Sequence, residues 1–349
     1  MKQITSFNGL RFFAILIIVL YHIKRDVACC YSGYLAVDLF FILSGFLLAK
    51  TYEKLSQSYQ NDSLYIAKAY FSHRFSRLWP EYFFAVFISI FLLGNFSKFQ
   101  THPIFLNIFM TSDIAEIPNF LHGSWFVPVI FWCNCLLFSL LAFGKEKTKG
   151  LILPIIAIIC LFHLVSRKKL DLHVQLTEFA HLSDGTIRGL FGCIIGIYTY
   201  WACQALKNYK ANWRPMFLKS ILLIGEIISV IWLGYILIFQ KKFNMIFFDI
   251  YFYVPFLIGL LYFQKEKLLK FLSWKITASL GTISYSLYLS HFTIILFFKK
   301  MSLKGFEAYE RGILTVLLSI ALAFLNYYGA KYLIKFLKKI AFTTDKNEQ

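Results

Sequence analysis

Ten apolar runs divide the sequence, at about 7–23, 34–50, 79–96, 122–143, 150–166, 186–204, 218–239, 246–264, 279–298 and 312–334, and no other feature constrains the fold as strongly. A bilayer hydrocarbon core of about 30 Å asks for roughly 20 helical residues, close to the length of each run. Lipid offers no water to a backbone N–H or C=O, so such a run must bond its backbone internally, as a helix. The expected fold is all-α: a polytopic integral membrane helix bundle of about ten transmembrane helices. Composition agrees, with 58% hydrophobic and only 15% charged residues among 349, against about 25% charged in soluble domains. The expected organisation is one membrane domain at 1–340 and a short cytoplasmic tail at 341–349. The first run is expected to be retained, because no small-residue cleavage motif follows it.

The chain has 36 Lys and Arg against 18 Asp and Glu, a formal net charge of +18. The cations fall in short clusters between apolar runs rather than in one continuous patch, which argues for membrane topology and against a nucleic-acid partner. Counted on alternate sides of ten spans, 23 lie on the side of the N-terminus and 12 on the other, with Arg188 inside the sixth run set aside. That bias puts both termini in the cytoplasm, although RKK at 167–169 runs against it. Cys29 and Cys30 make a poor staple, and Cys133, Cys135, Cys160 and Cys193 read as small buried apolar groups. No metal-ligand spacing is present, so neither a metal nor a resident cofactor is expected.

Polar side chains inside these runs are expensive in lipid, so each calls for a partner or a function. In SFNGLRFFAILIIVLYHI, residues 6–23, Arg11 and His22 are eleven positions apart. At about 100° and 1.5 Å per helical residue they share a face, roughly 16 Å apart along the axis. His22 reads either as an interfacial helix cap or as a general base or acyl carrier. Asp38, a turn into the second run, reads as a helix-start cap or as the carboxylate that orients a histidine such as His22. Ser44 and Gly45 read as packing residues. In HRFSRLWPEYFF, Arg74 and Arg77 share one helical face, Pro80 marks where a span could begin, and Glu81 could pair with either arginine and temper their field. The two arginines are positive-inside anchors or, with Arg11, a clamp for an anionic ligand.

His122 and Trp125 open the fourth run from outside, the tryptophan as part of an aromatic belt. Arg188 in the sixth run is expected to snorkel or to meet Asp184, on a helix whose Gly185, Gly189, Gly192 and Gly196 admit close packing or a slender ligand. In the ninth run Ser284, Tyr288 and His291 lie on one stripe, with His291 near mid-bilayer. They read as channel lining, or His291 as a core histidine bonded to a neighbouring helix.

The blocks LRFFAILIIVLYH, AVDLFFILSGFLL, HRFSRLWPEYF, RGLFGCIIGI and SYSLYLSH, in this order over about 330 residues, resemble the acyltransferase family 3 membrane proteins, which O-acetylate bacterial surface glycans. The resemblance implies about ten helices in the bacterial cytoplasmic membrane, and acetyl-CoA as a cytosolic acyl-donor substrate. It also implies an acceptor hydroxyl on a cell-surface polysaccharide, such as an exopolysaccharide, or on a lipid-linked saccharide. Beside donor and acceptor, membrane lipid is the expected partner, and no oligomer is indicated. The family's essential first-helix arginine and histidine fall on Arg11 and His22, and its second-loop arginines on Arg74 and Arg77.

One departure stands out. Many members carry a Trp-Ser-Leu block and then a glutamate in the middle helix, whereas here Trp125 leads into FVPVIFW with no acid. The esterase-like domain fused to some relatives is not expected, because the sequence stops soon after the tenth run. The candidate catalytic residues are His22, Arg11, Asp38 and His291, and the candidate donor-binding residues are Arg11, Arg74 and Arg77. The alternative is a transporter or flippase for an anionic or glycan substrate. Such proteins often show two related halves, and no repetition between 1–170 and 171–349 is evident.

Overall fold

Each of the ten apolar runs forms helix in the computed structural model, which describes residues 4–23, 29–59, 62–94, 104–111, 121, 123–167, 182–208, 215–241, 245–301 and 307–347. In chain order the helices are α1 (Thr5–His22), α2 (Ala36–Ser58), α3 (Ser63–Leu93), α4 (Phe126–Lys147), α5 (Leu153–Arg167), α6 (Asp184–Asn208), α7 (Pro215–Gly234), α8 (Ile250–Phe263), α9 (Lys275–Thr282), α10 (Ser284–Met301) and α11 (Ala308–Asn347). Short 3-10 and π turns, and a single helical turn at Ile104–Ile108, join or extend them. No β-strand occurs among the described residues.

Among the described residues eight helices can cross a membrane by length and apolarity, or nine if α9 and α10, bent by 62°, make one broken span. Within that count residues 126–167 figure once, as a stretch of 42 residues, about twice what a bilayer needs. This stretch folds back on itself. Lys145, at φ 44° and ψ −121°, breaks the helix, and a π turn follows at Thr148–Ile152. Cys133, near one end, lies 3.7 Å from the Thr186 carbonyl. At the other end His163 and Arg167 reach Asp184 at 3.0 and 3.5 Å. Both ends therefore meet the start of α6, so α4 and α5 form a hairpin of two crossings.

The helix reaches beyond the span expected from Pro80: α3 runs unbroken for 31 residues through it. Its start is Asp62, whose carboxylate accepts the Tyr65 N–H at 3.1 Å, a standard N-cap. The stretch before Pro80 is polar enough to continue as helix outside the apolar layer, so the membrane boundary and the helix end do not coincide.

Glycines set the closest contact, between α2 and α6. A Cβ on Gly45 would lie 1.9 Å from the Cys193 carbonyl oxygen, and one on Gly196 equally close to that of Ile42. The small-residue face of α6 thus serves backbone approach. Gly196→Leu is expected to abolish most of the folded yield in detergent, measured by size-exclusion chromatography. Gly150→Leu, where nothing lies within 4 Å, is expected to leave it intact.

The outward faces of α5, α7 and α11 carry exposed Ile158, Phe162, Ile224, Ile231, Ile313 and Leu325, as a lipid-facing surface requires. Glu226 is an acid on α7 but is buried. Its carboxylate accepts the Lys267 and Leu269 N–H groups, each at 2.9 Å, and so caps the 3-10 turn at Leu268–Ser273.

Candidate active site

A cavity of about 410 Å³ lies among α1, α2, α3, α4, α9, α10 and α11, and Arg11, Arg74 and Arg77 all line it. Each helix brings its arginine there with a particular support. On α1, Asn8 accepts from Arg11 at 3.3 Å. The α1 backbone can sit this close to α9 because Gly281 has no side chain: a Cβ there would lie 2.1 Å from the Asn8 carbonyl oxygen. On α3, Arg74 donates to the Ser44 hydroxyl at 2.6 Å. Ser44 in turn donates to Asn134 Oδ1 at 3.2 Å, and the Asn134 amide donates to the Ile130 carbonyl at 2.5 Å. Three helices therefore hold the Arg74 guanidinium through one polar chain.

Arg11 and Arg74 are half-buried, and Arg77 is the most exposed of the three. Among the described residues no ion pair joins any of them to a carboxylate. Among the described residues the one carboxylate on the cavity wall is Glu81. The Ser286 hydroxyl donates to it in a very short hydrogen bond. Thr282, Ser284, Tyr285, Tyr288 and Tyr327 add to the polar lining.

Two imidazoles stand behind this wall. The rings of His22 and His291 are 5.3 Å apart, and the Tyr288 ring, which faces the cavity, is 5.6 Å from His291. His291 Nδ1 lies 2.6 Å from the Tyr288 carbonyl. A carbonyl only accepts, so this nitrogen carries the proton and Nε2 presents its lone pair. Nε2 is buried and has no hydrogen-bond partner among the described residues. The Tyr288 hydroxyl donates to the Gly123 carbonyl at 2.8 Å, which fixes the ring between cavity and histidines.

Asp38 is not the orienting carboxylate that the sequence led us to expect, nor a helix-start cap. It is fully buried. Arg188 donates to it twice, Nε to Oδ1 at 2.8 Å and Nη2 to Oδ2 at 2.5 Å. The Tyr251 hydroxyl adds a third bond at 2.7 Å. Arg188 correspondingly neither snorkels nor meets Asp184, which takes His163 and Arg167 instead. The reason is helix adjacency: α6 lies against α2, so a buried guanidinium and a buried carboxylate neutralise one another inside the bundle.

Trp125 packs on Gly185 and near Phe41; His122 and most of the loops at 97–121 and 167–185 lie outside the described residues. Sequence reasoning missed Asn134, Asn8 and Tyr285, and favoured a packing role for Ser44. No local signal marks them, because their roles exist only across helices.

Comparison with known proteins agrees with this architecture. The family model described as "Acyltransferase domain" matches residues 4–332. "Putative peptidoglycan O-acetyltransferase YrhL" of Bacillus subtilis is 23% identical, over 94% of this chain and 54% of its own length. A Staphylococcus aureus (strain COL) protein named as a "Putative O-acetyltransferase" is 25% identical, over 94% of this chain and 56% of its own. Peptidoglycan O-acetyltransferase OatA of Listeria monocytogenes is 32% identical over 126 residues, 36% of this chain and 18% of its own. The chain thus spans about half the length of the first two relatives. No solved structure matches it. The family match covers nearly all of an all-helical membrane bundle, and the chain belongs to the acyltransferase family 3.

Proposed function

We propose that the protein is an integral membrane O-acetyltransferase of the bacterial cytoplasmic membrane. It takes acetyl from cytosolic acetyl-CoA and passes it to a hydroxyl of a cell-surface glycan, with both termini in the cytoplasm. Peptidoglycan, the glycan in the names of two relatives, is the most specific acceptor of that class. The observation that carries the proposal is the set of three guanidinium groups on one cavity of the bundle, with no carboxylate ion-paired to them among the described residues. Like charges gathered on one cavity wall disfavour one another, and a pyrophosphate with a further phosphate supplies the match. Arginine's planar fork suits those oxygens.

In this reading Arg11, Arg74 and Arg77 hold the donor phosphates, and the pantetheine arm runs past Tyr288 toward the imidazoles. The axial distance of roughly 16 Å from Arg11 to His22 is comparable with the reach of that arm. Neutral His22 takes the proton from the acceptor hydroxyl as its oxygen attacks the thioester carbonyl. The C–S bond breaks, the thiolate leaves, and the proton held by His22 is passed to it, so the imidazole ends neutral. His291, whose ring packs 5.3 Å from that of His22, positions the base.

The test is calorimetric titration of detergent-purified protein with CoA. Arg11→Lys, Arg74→Lys and Arg77→Lys keep the charge but lose the fork, and each is expected to weaken binding by about tenfold, some 1.4 kcal/mol. Unchanged affinity in all three would leave them as topology anchors. Acceptor counterflow without acetyl transfer would identify a transporter instead.

A further inference from the structure

We propose that Glu81 is a built-in counter-anion of the arginine cavity, which holds the affinity for the donor's phosphates low enough for the spent carrier to leave. This rests on the donor reading above and adds a residue that the reading does not use.

Glu81 follows Arg77 by four residues on α3, so the two share a helical face, and both line the cavity. Such a pair would ordinarily close into a salt bridge. Here none forms between them, although each feels the other's charge. The carboxylate is held by neighbouring helices instead. Ser286 of α10 donates to its Oε2, and Asn326 of α11 donates to the Ser286 oxygen at 3.4 Å. Ser286 and Asn326 are both completely buried. A donor–acceptor chain across three helices thus pins one negative charge on the wall that carries the three arginines, in the field of Arg77 and of Lys331, without an ion pair to any of them among the described residues.

The consequence is electrostatic. A polyanion entering the cavity is attracted by three guanidinium groups and repelled by one fixed carboxylate, at low effective dielectric where each term is large. Donor and product carry the same phosphates, so all three arginines hold CoA as firmly as acetyl-CoA. Binding both equally well does not speed the chemical step, and tight product binding slows turnover. Glu81 offsets that attraction for both. Its position on the wall, rather than in a salt bridge, lets Arg77 remain available to phosphate.

Glu81→Gln is isosteric and keeps an acceptor for Ser286, so it isolates the charge. In purified full-length protein it is expected to bind CoA and acetyl-CoA about tenfold tighter. Its KM for the donor and its kcat should fall together as product release becomes limiting. Ser286→Ala is expected to act with the opposite sign: the released carboxylate swings onto Arg77 and CoA binds more weakly than in wild type. Affinity that is unchanged or lower in Glu81→Gln, while Arg77→Lys still weakens binding, would overturn the role of Glu81 and leave the arginine clamp standing. If Glu81→Gln does not yield folded protein, Ser286→Ala decides: CoA affinity equal to or above wild type overturns the proposal. No response in any of the three variants would remove the donor reading and this proposal with it.

Discussion

A His22→Ala protein is expected to insert, purify and bind CoA with wild-type affinity, yet transfer acetyl at least about 10²-fold more slowly. The separation of these two effects follows from the geometry. Arg11 and the other two arginines line the cavity, whereas His22 stands behind it, packed against His291 at 5.3 Å and Phe292 at 5.1 Å. Truncating the imidazole removes a proton acceptor without touching the phosphate end. His291→Ala is expected to lose less, about tenfold, because a group that only positions the base contributes less than the base that takes the proton. Transfer and donor binding should be measured side by side at matched protein level. Near-normal turnover in His22→Ala would end this mechanism and return His22 to a packing role at the membrane interface.

The second large effect is structural. Asp38→Ala is expected to cost about 3–5 kcal/mol of stability, because it strands the Arg188 guanidinium without its counter-ion. Arg188 is 1% exposed, with both its Nε and its Nη2 committed to Asp38. The Tyr251 hydroxyl loses its acceptor in the same step. Arg188→Leu should be damaging for the mirror reason. The double variant Asp38→Leu with Arg188→Leu should recover much of the loss, since removing both charges leaves no stranded ion. Thermal unfolding in detergent, read by size-exclusion, measures all three. If Asp38→Ala instead folded normally and lost only turnover, Asp38 would belong to the chemistry after all.

The ten apolar runs, the all-helical class and the family were legible in the sequence because they depend on local properties: length, apolarity, and motifs read in order. The sharing of a face by Ser284 and Tyr288 was legible for the same reason, since helical phase is set by spacing along one chain segment, and both line the cavity. What a side chain faces across the bundle was not. Asp38 and Arg188 are 150 residues apart, and only the glycine-mediated approach of α2 to α6 makes them partners. Arg188 read on its own helix had one nearby acid, Asp184, and that assignment was the natural and mistaken one. The Arg74, Ser44 and Asn134 chain runs across α3, α2 and α4, so none of its members announces the others. Periodicity tells which residues point the same way from one helix; in a bundle whose helices are all apolar, which of them are neighbours is decided by packing, and with it every polar contact that crosses from one to the next.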